Sequence, residues 1–185
     1  MNHEPGGGTF EPEPPDGPGD LASRVVNAAL LNRRTFRGIQ EDPTGTAQVY
    51  ILVGAAAIAA GIGTLGDLSL VVQNVLLTVA GWLIYAHVAW FMRSYIFDTI
   101  HAEASRPNML RVVGIAYGPG LLRAFGFFPG VGEFVFVAAT IWIVVGIAVG
   151  LRSTLAFENY GPVAGIIAIG VLLNFTLSSI VFAFG

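Results

Sequence analysis

Long apolar runs separated by short polar stretches dominate the sequence from residue 47 onward. Between residues 47 and 92 the only charged side chain is Asp67, and residues 134–151 and 159–185 carry no charge. About 20 apolar residues are enough to cross the hydrocarbon core of a bilayer, so these runs predict four transmembrane helices. We place these helices at about 47–66, 70–92, 134–151 and 162–184.

A further apolar stretch lies between the second and third of these helices. Residues 112–132 contain a single charge, Arg123, and two prolines, Pro119 and Pro129. Because proline interrupts the hydrogen-bond ladder of a helix, the stretch predicts either a broken fifth span near 110–128 or a re-entrant segment packed against the bundle. The arginine bias places the N-terminus in the cytoplasm. This bias does not decide between the two alternatives, because each of them leaves eight arginines inside and one outside.

The first 42 residues lie outside the apolar pattern. Residues 1–19 are rich in proline, glycine and acidic side chains, so we expect a disordered, solvated tail. Residues 20–42 predict one half-apolar helix with a basic cluster of Arg33, Arg34 and Arg37. Two positions fit this helix. It lies in the head-group layer, where the cluster meets anionic lipid phosphates, or it packs on the bundle as a cytosolic helix.

The composition agrees with lipid as the solvent of this chain. Of its 185 residues, 54% are hydrophobic, 11% are charged and 24 are glycine, whereas ordinary soluble domains are about 25% charged. This balance excludes a soluble enzyme and a nucleic-acid-binding protein. All nine basic residues are arginine and cysteine is absent. These two features indicate a prokaryotic plasma-membrane protein without disulfides or thiolate metal sites.

Small residues within the apolar runs predict close helix packing. Glycines four positions apart let helix backbones approach each other in lipid, where association gains little from the hydrophobic effect. The pairs with this GxxxG spacing are Gly114/Gly118, Gly146/Gly150 and Gly161/Gly165. We favour packing within one chain over a dimer interface, and self-association stays open.

Polar side chains inside the apolar runs are the candidate functional residues, because such groups are costly in lipid. His87 lies in the second span, Asn174 lies in the last, and Pro119 breaks the stretch between them. One interpretation is a solute pathway at a discontinuous helix, as in a small permease or channel. The other, which we favour, is ordinary hydrogen bonding between helices.

Two opposite charges, Arg123 and Glu133, flank the predicted turn that contains Pro129. Either the two side chains neutralise each other across the turn, or Arg123 extends to the lipid head groups by itself. Asp98, His101 and Glu103 lie in a polar loop and lack the spacing of a metal site. With no catalytic motif in the sequence, we expect a protein that is not an enzyme and has neither cofactor nor metal.

Several short motifs in the second half of the sequence occur together in a known family. They are Ala116 and Pro119 before Leu121-Leu122, then Pro129 and Gly132, Ile141-Trp142, Gly150-Leu151-Arg152, and Ala164. With these motifs the sequence resembles the YIP domain of the Ypt-interacting membrane proteins. The run RVVNAALLNRRTFRGIQEDPTGTAQ is similar to the segment before the first span of prokaryotic members, so the resemblance covers about residues 21–182.

The YIP resemblance implies five transmembrane helices and a cytosolic N-terminal region, which makes residues 110–128 a proline-broken third span. Eukaryotic relatives associate with Rab-type GTPases and help to organise membranes, so a GTPase partner is implied by analogy alone. We therefore expect an all-α transmembrane bundle with its C-terminus outside. Its expected function is that of a membrane-organising adaptor, which acts through helix packing and a basic cytosolic face.

Overall fold

A computed structural model describes residues 20–97, 105–155, 157 and 160–184. The predicted tail at 1–19 lies outside this part of the chain, as do Asp98, His101 and Glu103. The described residues are helical and contain no strand. In chain order the helices are α1 (Leu21–Ala29), α2 (Arg33–Glu41), α3 (Gly45–Ile62), α4 (Leu68–Tyr95), α5 (Arg106–Ile115), the 3₁₀ segment η1 (Gly118–Phe127), α6 (Gly132–Thr154) and α7 (Gly161–Phe184).

Four of these helices, α3, α4, α6 and α7, are long and apolar enough to cross a membrane. They confirm the four long apolar helices expected from the sequence, with ends that differ from the predicted ones by up to four residues. They are compatible with a multi-pass membrane protein. The stretch predicted at 110–128 is not a single long helix, because it is divided into α5 and η1.

The division between α5 and η1 follows from the sequence around Pro119. Proline has no backbone N–H and therefore cannot continue the α-helical bonding pattern; the chain tightens into 3₁₀ geometry from Gly118 onward. Ten residues is long for a 3₁₀ segment, which rarely exceeds one turn. Every residue from 111 to 120 is buried, so the junction lies at the centre of the bundle.

The α5–η1 segment runs from one end of the bundle to the other. Near its start, Arg111 donates hydrogen bonds to the carbonyl oxygens of Gln40 (2.7 Å) and Asp42 (3.0 Å), just before α3 begins. Near its end, a Cβ built on Gly63, which follows α3, would collide with the carbonyl oxygen of Arg123. The segment therefore lies parallel to α3 and joins the end of α4 to the start of α6 at the opposite end.

The single helix predicted over 20–42 is wrong, because the chain forms two helices there. Leu31 has a positive φ of 60° and separates α1 from α2. The side chain of Asn32 then caps α2 by accepting a hydrogen bond from the backbone N–H of Arg34 at 3.0 Å. Phe36 and Ile39 of α2 are fully buried, so α2 packs on the bundle. Its position relative to the lipid head groups stays a prediction.

Several glycines of the predicted pairs make close contacts within the chain. A Cβ added at Gly114 would collide with Val49, and one added at Gly150 would lie 2.8 Å from the Phe36 ring. A Cβ added at Gly146 would lie 3.3 Å from the Cβ of Ala116, which is a tighter approach than most. No atom lies within 4 Å of a Cβ built on Gly165. The packing within one chain that we favoured therefore accounts for at least three of the six glycines.

Candidate functional site

Four arginines form a surface at one end of the bundle, called the basic face here and composed of Arg33, Arg34, Arg37 and Arg152. The first three are exposed on α2, and Arg152 is half-buried in the last turn of α6. The Nε of Arg37 donates a hydrogen bond to the Ser153 carbonyl oxygen at 2.9 Å. This bond joins α2 to the end of α6 and brings the predicted cluster together with Arg152.

Tyr160, just before α7, lies within the positive field of the basic face. The Arg152 guanidinium carbon lies 3.9 Å from the centre of the tyrosine ring. The pKa of the Tyr160 phenol is lowered, chiefly by its hydrogen bond with Arg152, and the charge of Arg33 acts in the same direction. The basic face therefore concentrates positive charge on one surface.

A set of polar side chains, called the clamp here and composed of Arg24, Asp42, Gln48 and Arg111, holds α1 and α2 against the longer helices. Arg24 of α1 donates to the carboxylate of Asp42 at 2.6 Å and to the side-chain oxygen of Gln48 at 3.0 Å. Arg111 of α5 holds the carbonyl oxygens at the end of α2, which have no partner within the helix. The two N-terminal helices are therefore fixed on the bundle.

We expect the clamp to contribute less to the stability of the protein in acid, because Asp42 becomes protonated. The pKa of the Asp42 carboxyl is lowered from 3.8 to about 2, first by the hydroxyl of Thr44 and then by the guanidinium of Arg24. Because the folded pKa lies below the unfolded one, this contribution is complete above about pH 4 and is lost as the pH falls towards 2. We expect the difference in melting temperature between wild type and Asp42→Asn, measured in detergent, to shrink between pH 4 and pH 2. A difference that stays constant over this interval would contradict the assignment.

A cavity of about 360 Å³ lies among α4, α6, α7 and η1. Arg123 of η1 lines this cavity, and its side chain is buried. Its Nη2 donates to the hydroxyl of Thr140 at 2.9 Å, and its Nη1 lies 3.4 Å from the hydroxyl of Thr78. The other polar side chains of the lining are Asn74, Tyr85, Tyr117, Asn174 and Ser178.

The structure places the predicted candidate residues in different environments. Arg123 and Asn174 both line the cavity, whereas His87 is exposed on α4 and contacts the Leu83 carbonyl oxygen through Nδ1 at 2.8 Å. Pro119 is buried in η1 and introduces the segment that carries Arg123. The three residues predicted to share a pathway therefore do not all converge.

Both predicted arrangements of Arg123 are wrong. Glu133 is exposed in the first turn of α6, and no described carboxylate lies within ion-pair distance of Arg123. Nor does Arg123 extend to the surface, because its side chain turns inward to Thr78 and Thr140. The turn residue Pro129 is exposed and contributes nothing to the cavity lining. The physical reason is that η1 places the Arg123 side chain on the bundle side of the segment.

Sequence reasoning missed the residues that hold Arg123. Thr78 and Thr140 each lie inside a long apolar helix, where a threonine hydroxyl usually bonds to the backbone four residues earlier. Both do so, to the carbonyl oxygens of Asn74 and Phe136. Such residues give no signal in the sequence, because only the tertiary fold brings an arginine to them.

The described residues contain no group of three histidine or acidic side chains that could hold a metal ion. No known family, curated protein or solved structure matches this chain. The resemblance to the YIP domain therefore stays a prediction.

Proposed function

We propose that this chain is a non-enzymatic, multi-pass membrane protein that organises membranes or adapts partners to them through its basic face. The observation that carries the proposal is the attachment of α2 to the bundle. Arg37 and Arg111 connect α2 to α6 and α5, so the exposed arginines keep a fixed position relative to the bundle. A fixed basic surface binds acidic head groups with less loss of conformational entropy than a flexible tail.

The proposed topology has five crossings, with the N-terminus in the cytoplasm and the C-terminus outside. The path of α5–η1 between the two ends of the bundle supports the fifth crossing. In this topology the basic face lies on the cytosolic side, as the positive-inside rule requires. The proposed location is a prokaryotic plasma membrane. The proposed partners are the bilayer, other membrane proteins, a second copy, or a GTPase by analogy with the YIP family.

Cysteine labelling tests the five-crossing topology directly, because the chain has no native cysteine. We expect Pro129→Cys to react with a membrane-impermeant maleimide in intact cells, since the turn before α6 lies outside. We expect Ser105→Cys, just before α5, to react only after the membrane is permeabilised. Labelling of both positions from the same side would contradict the crossing of α5–η1.

Vesicle tethering tests the role of the basic face. Proteoliposomes that contain the chain are mixed with vesicles of phosphatidylcholine and phosphatidylglycerol, and clustering is followed by light scattering. Each arginine near an acidic surface contributes about 1 kcal/mol, so an Arg33→Gln and Arg34→Gln double variant should weaken tethering about 30-fold. The matched Arg33→Lys and Arg34→Lys variant keeps both charges and should tether as wild type does. Equal tethering by the glutamine variant would overturn the proposal.

The second candidate function is a small permease, favoured by one observation. The segment that begins at Pro119 carries Arg123 into the same cavity as Asn174, which is the arrangement of a discontinuous helix at a substrate site. His87 does not line this cavity. Solute flux in reconstituted vesicles that is abolished by Pro119→Ala, with folding retained, would identify a permease instead of an adaptor.

A further inference from the structure

Arg123 carries a charge that no described residue balances. The residue is 8% exposed, and both of its hydrogen-bond partners are neutral threonine hydroxyls. Its Nε is buried and has no hydrogen-bond partner among the described residues. Burying a cation without an anionic partner costs several kcal/mol, and intramembrane charges of this kind usually mark a ligand site or an ion pathway. An anion in the cavity would offset this cost.

The geometry around the guanidinium favours an oxyanion with two or more oxygens. Guanidinium presents five coplanar N–H donors, and its paired donors match the oxygens of a carboxylate or a phosphate. The bonds to Thr78 and Thr140 use one donor each, so three of the five donors remain, among them the Nε–H. The guanidinium carbon also lies 5.1 Å from the centre of the Phe136 ring. This cation–π contact attracts the charge but does not neutralise it.

The remaining walls of the cavity suit an acyl chain. On α7 the apolar lining residues Val171, Phe175 and Phe182 follow one side of the helix, over about 16 Å at 1.5 Å per residue. All three are exposed on the surface of the chain, so this side of the cavity continues into the membrane region. α7 packs mainly on α4 and touches α6 little, which leaves a lateral cleft between α6 and α7.

We infer that the cavity binds a single-chain membrane amphiphile with a carboxylate or phosphate head group. The guanidinium of Arg123 holds the head group, and the acyl chain lies in the cleft between α6 and α7. The volume of about 360 Å³ is at the small end of the range for ligand pockets, about 300–1,000 Å³. It therefore fits a head group with part of one chain better than a two-chain phospholipid.

Three probes with related chains separate the head groups. Oleate carries a carboxylate, oleoyl lysophosphatidic acid carries a phosphate, and oleoyl lysophosphatidylcholine carries a phosphate neutralised by choline. Each is titrated into the full chain in nanodiscs of phosphatidylcholine, and bound probe is counted by native mass spectrometry. We expect one molecule of an anionic probe, either oleate or lysophosphatidic acid, to bind per chain. Lysophosphatidylcholine should bind at least tenfold more weakly. Binding by one anionic probe alone supports the site and identifies its head group.

Two variant pairs test the place of binding. Arg123→Gln removes a charged donor and should weaken the binding of the anionic probes about tenfold or more, whereas Arg106→Gln, at an exposed arginine of α5, should not. Ser178→Phe fills the cavity from α7 without removing a partner of Arg123, and it should also reduce binding. Its matched control is Ser179→Phe, because Ser179 is exposed and does not line the cavity. If Arg123→Gln does not fold, the Ser178 and Ser179 pair decides.

Three results would overturn the inference. The first is equal binding of lysophosphatidylcholine and the anionic probes. The second is wild-type affinity in the folded Ser178→Phe variant. The third is saturable binding of inorganic phosphate with no binding of oleate or lysophosphatidic acid, because it would indicate a site for a small soluble anion.

Discussion

Replacing Arg111 with methionine is expected to release α2 from the bundle. Arg111 is buried and donates to the carbonyl oxygens of Gln40 and Asp42 and to the Asn108 side chain at 2.5 Å. Methionine keeps much of the side-chain volume but removes these hydrogen bonds, and the Asp42 carbonyl oxygen keeps only its bond from the backbone N–H of Gly45 at 3.1 Å. Hydrogen bonds from a charged group contribute about 1.5–3 kcal/mol each, so we expect a loss of about 3 kcal/mol or more. Hydrogen exchange of the α2 amides should accelerate, and the melting temperature in detergent should fall.

The matched control for this prediction is Arg106→Met on the same helix. Arg106 is exposed and its guanidinium lies over the ring of Trp90 at 4.0 Å. Exposed interactions of this kind contribute about 0.5–1 kcal/mol, so the variant should keep α2 protected from exchange. If α2 stays equally protected in Arg111→Met, the clamp does not hold α2 to the bundle.

Replacing Gly63 with alanine is expected to separate α3 from η1. A Cβ built on Gly63 would overlap the carbonyl oxygen of Arg123 and lie 3.4 Å from the Cα of Gly126. Both obstacles are backbone atoms, which cannot rotate away as a side chain does. Overpacking of this kind costs about 1–3 kcal/mol and sometimes more, which corresponds to a fall in melting temperature of roughly 2–12 °C. Thermal unfolding in detergent measures this change.

The control is Gly54→Ala in the middle of α3. No atom lies within 4 Å of a Cβ built on Gly54, and alanine is favoured over glycine inside a helix by about 1 kcal/mol. The control should melt at the wild-type temperature or above it. Equal melting temperatures for the two alanine variants would mean that α3 and η1 are not in backbone contact at Gly63.

The hydrophobic pattern alone was enough to locate the four long helices, because their length and lack of charge leave no other structure of comparable stability. The sequence also places Arg33, Arg34 and Arg37 close together, because they lie within five positions of one another. The hydrophobic pattern did not reveal the break at Leu31, which depends on Asn32 as the cap of a second helix. A cap formed by one residue does not change the half-apolar pattern, so the pattern alone predicts one continuous helix.

The tertiary structure decided the place of α5–η1 and the direction of Arg123. Residues 112–122 carry no charge, as in a lipid-facing span, and only the contacts of α5 with α2, α3, α4 and α6 place residues 111–120 at the centre of the bundle. From the sequence, Glu133 is the nearest opposite charge to Arg123. In the fold Arg123 instead faces Thr78 and Thr140, which are 45 and 17 residues away. Hydrophobic burial determines which segments leave water, but it has no direction; the partners of a buried charge therefore depend on how the helices pack.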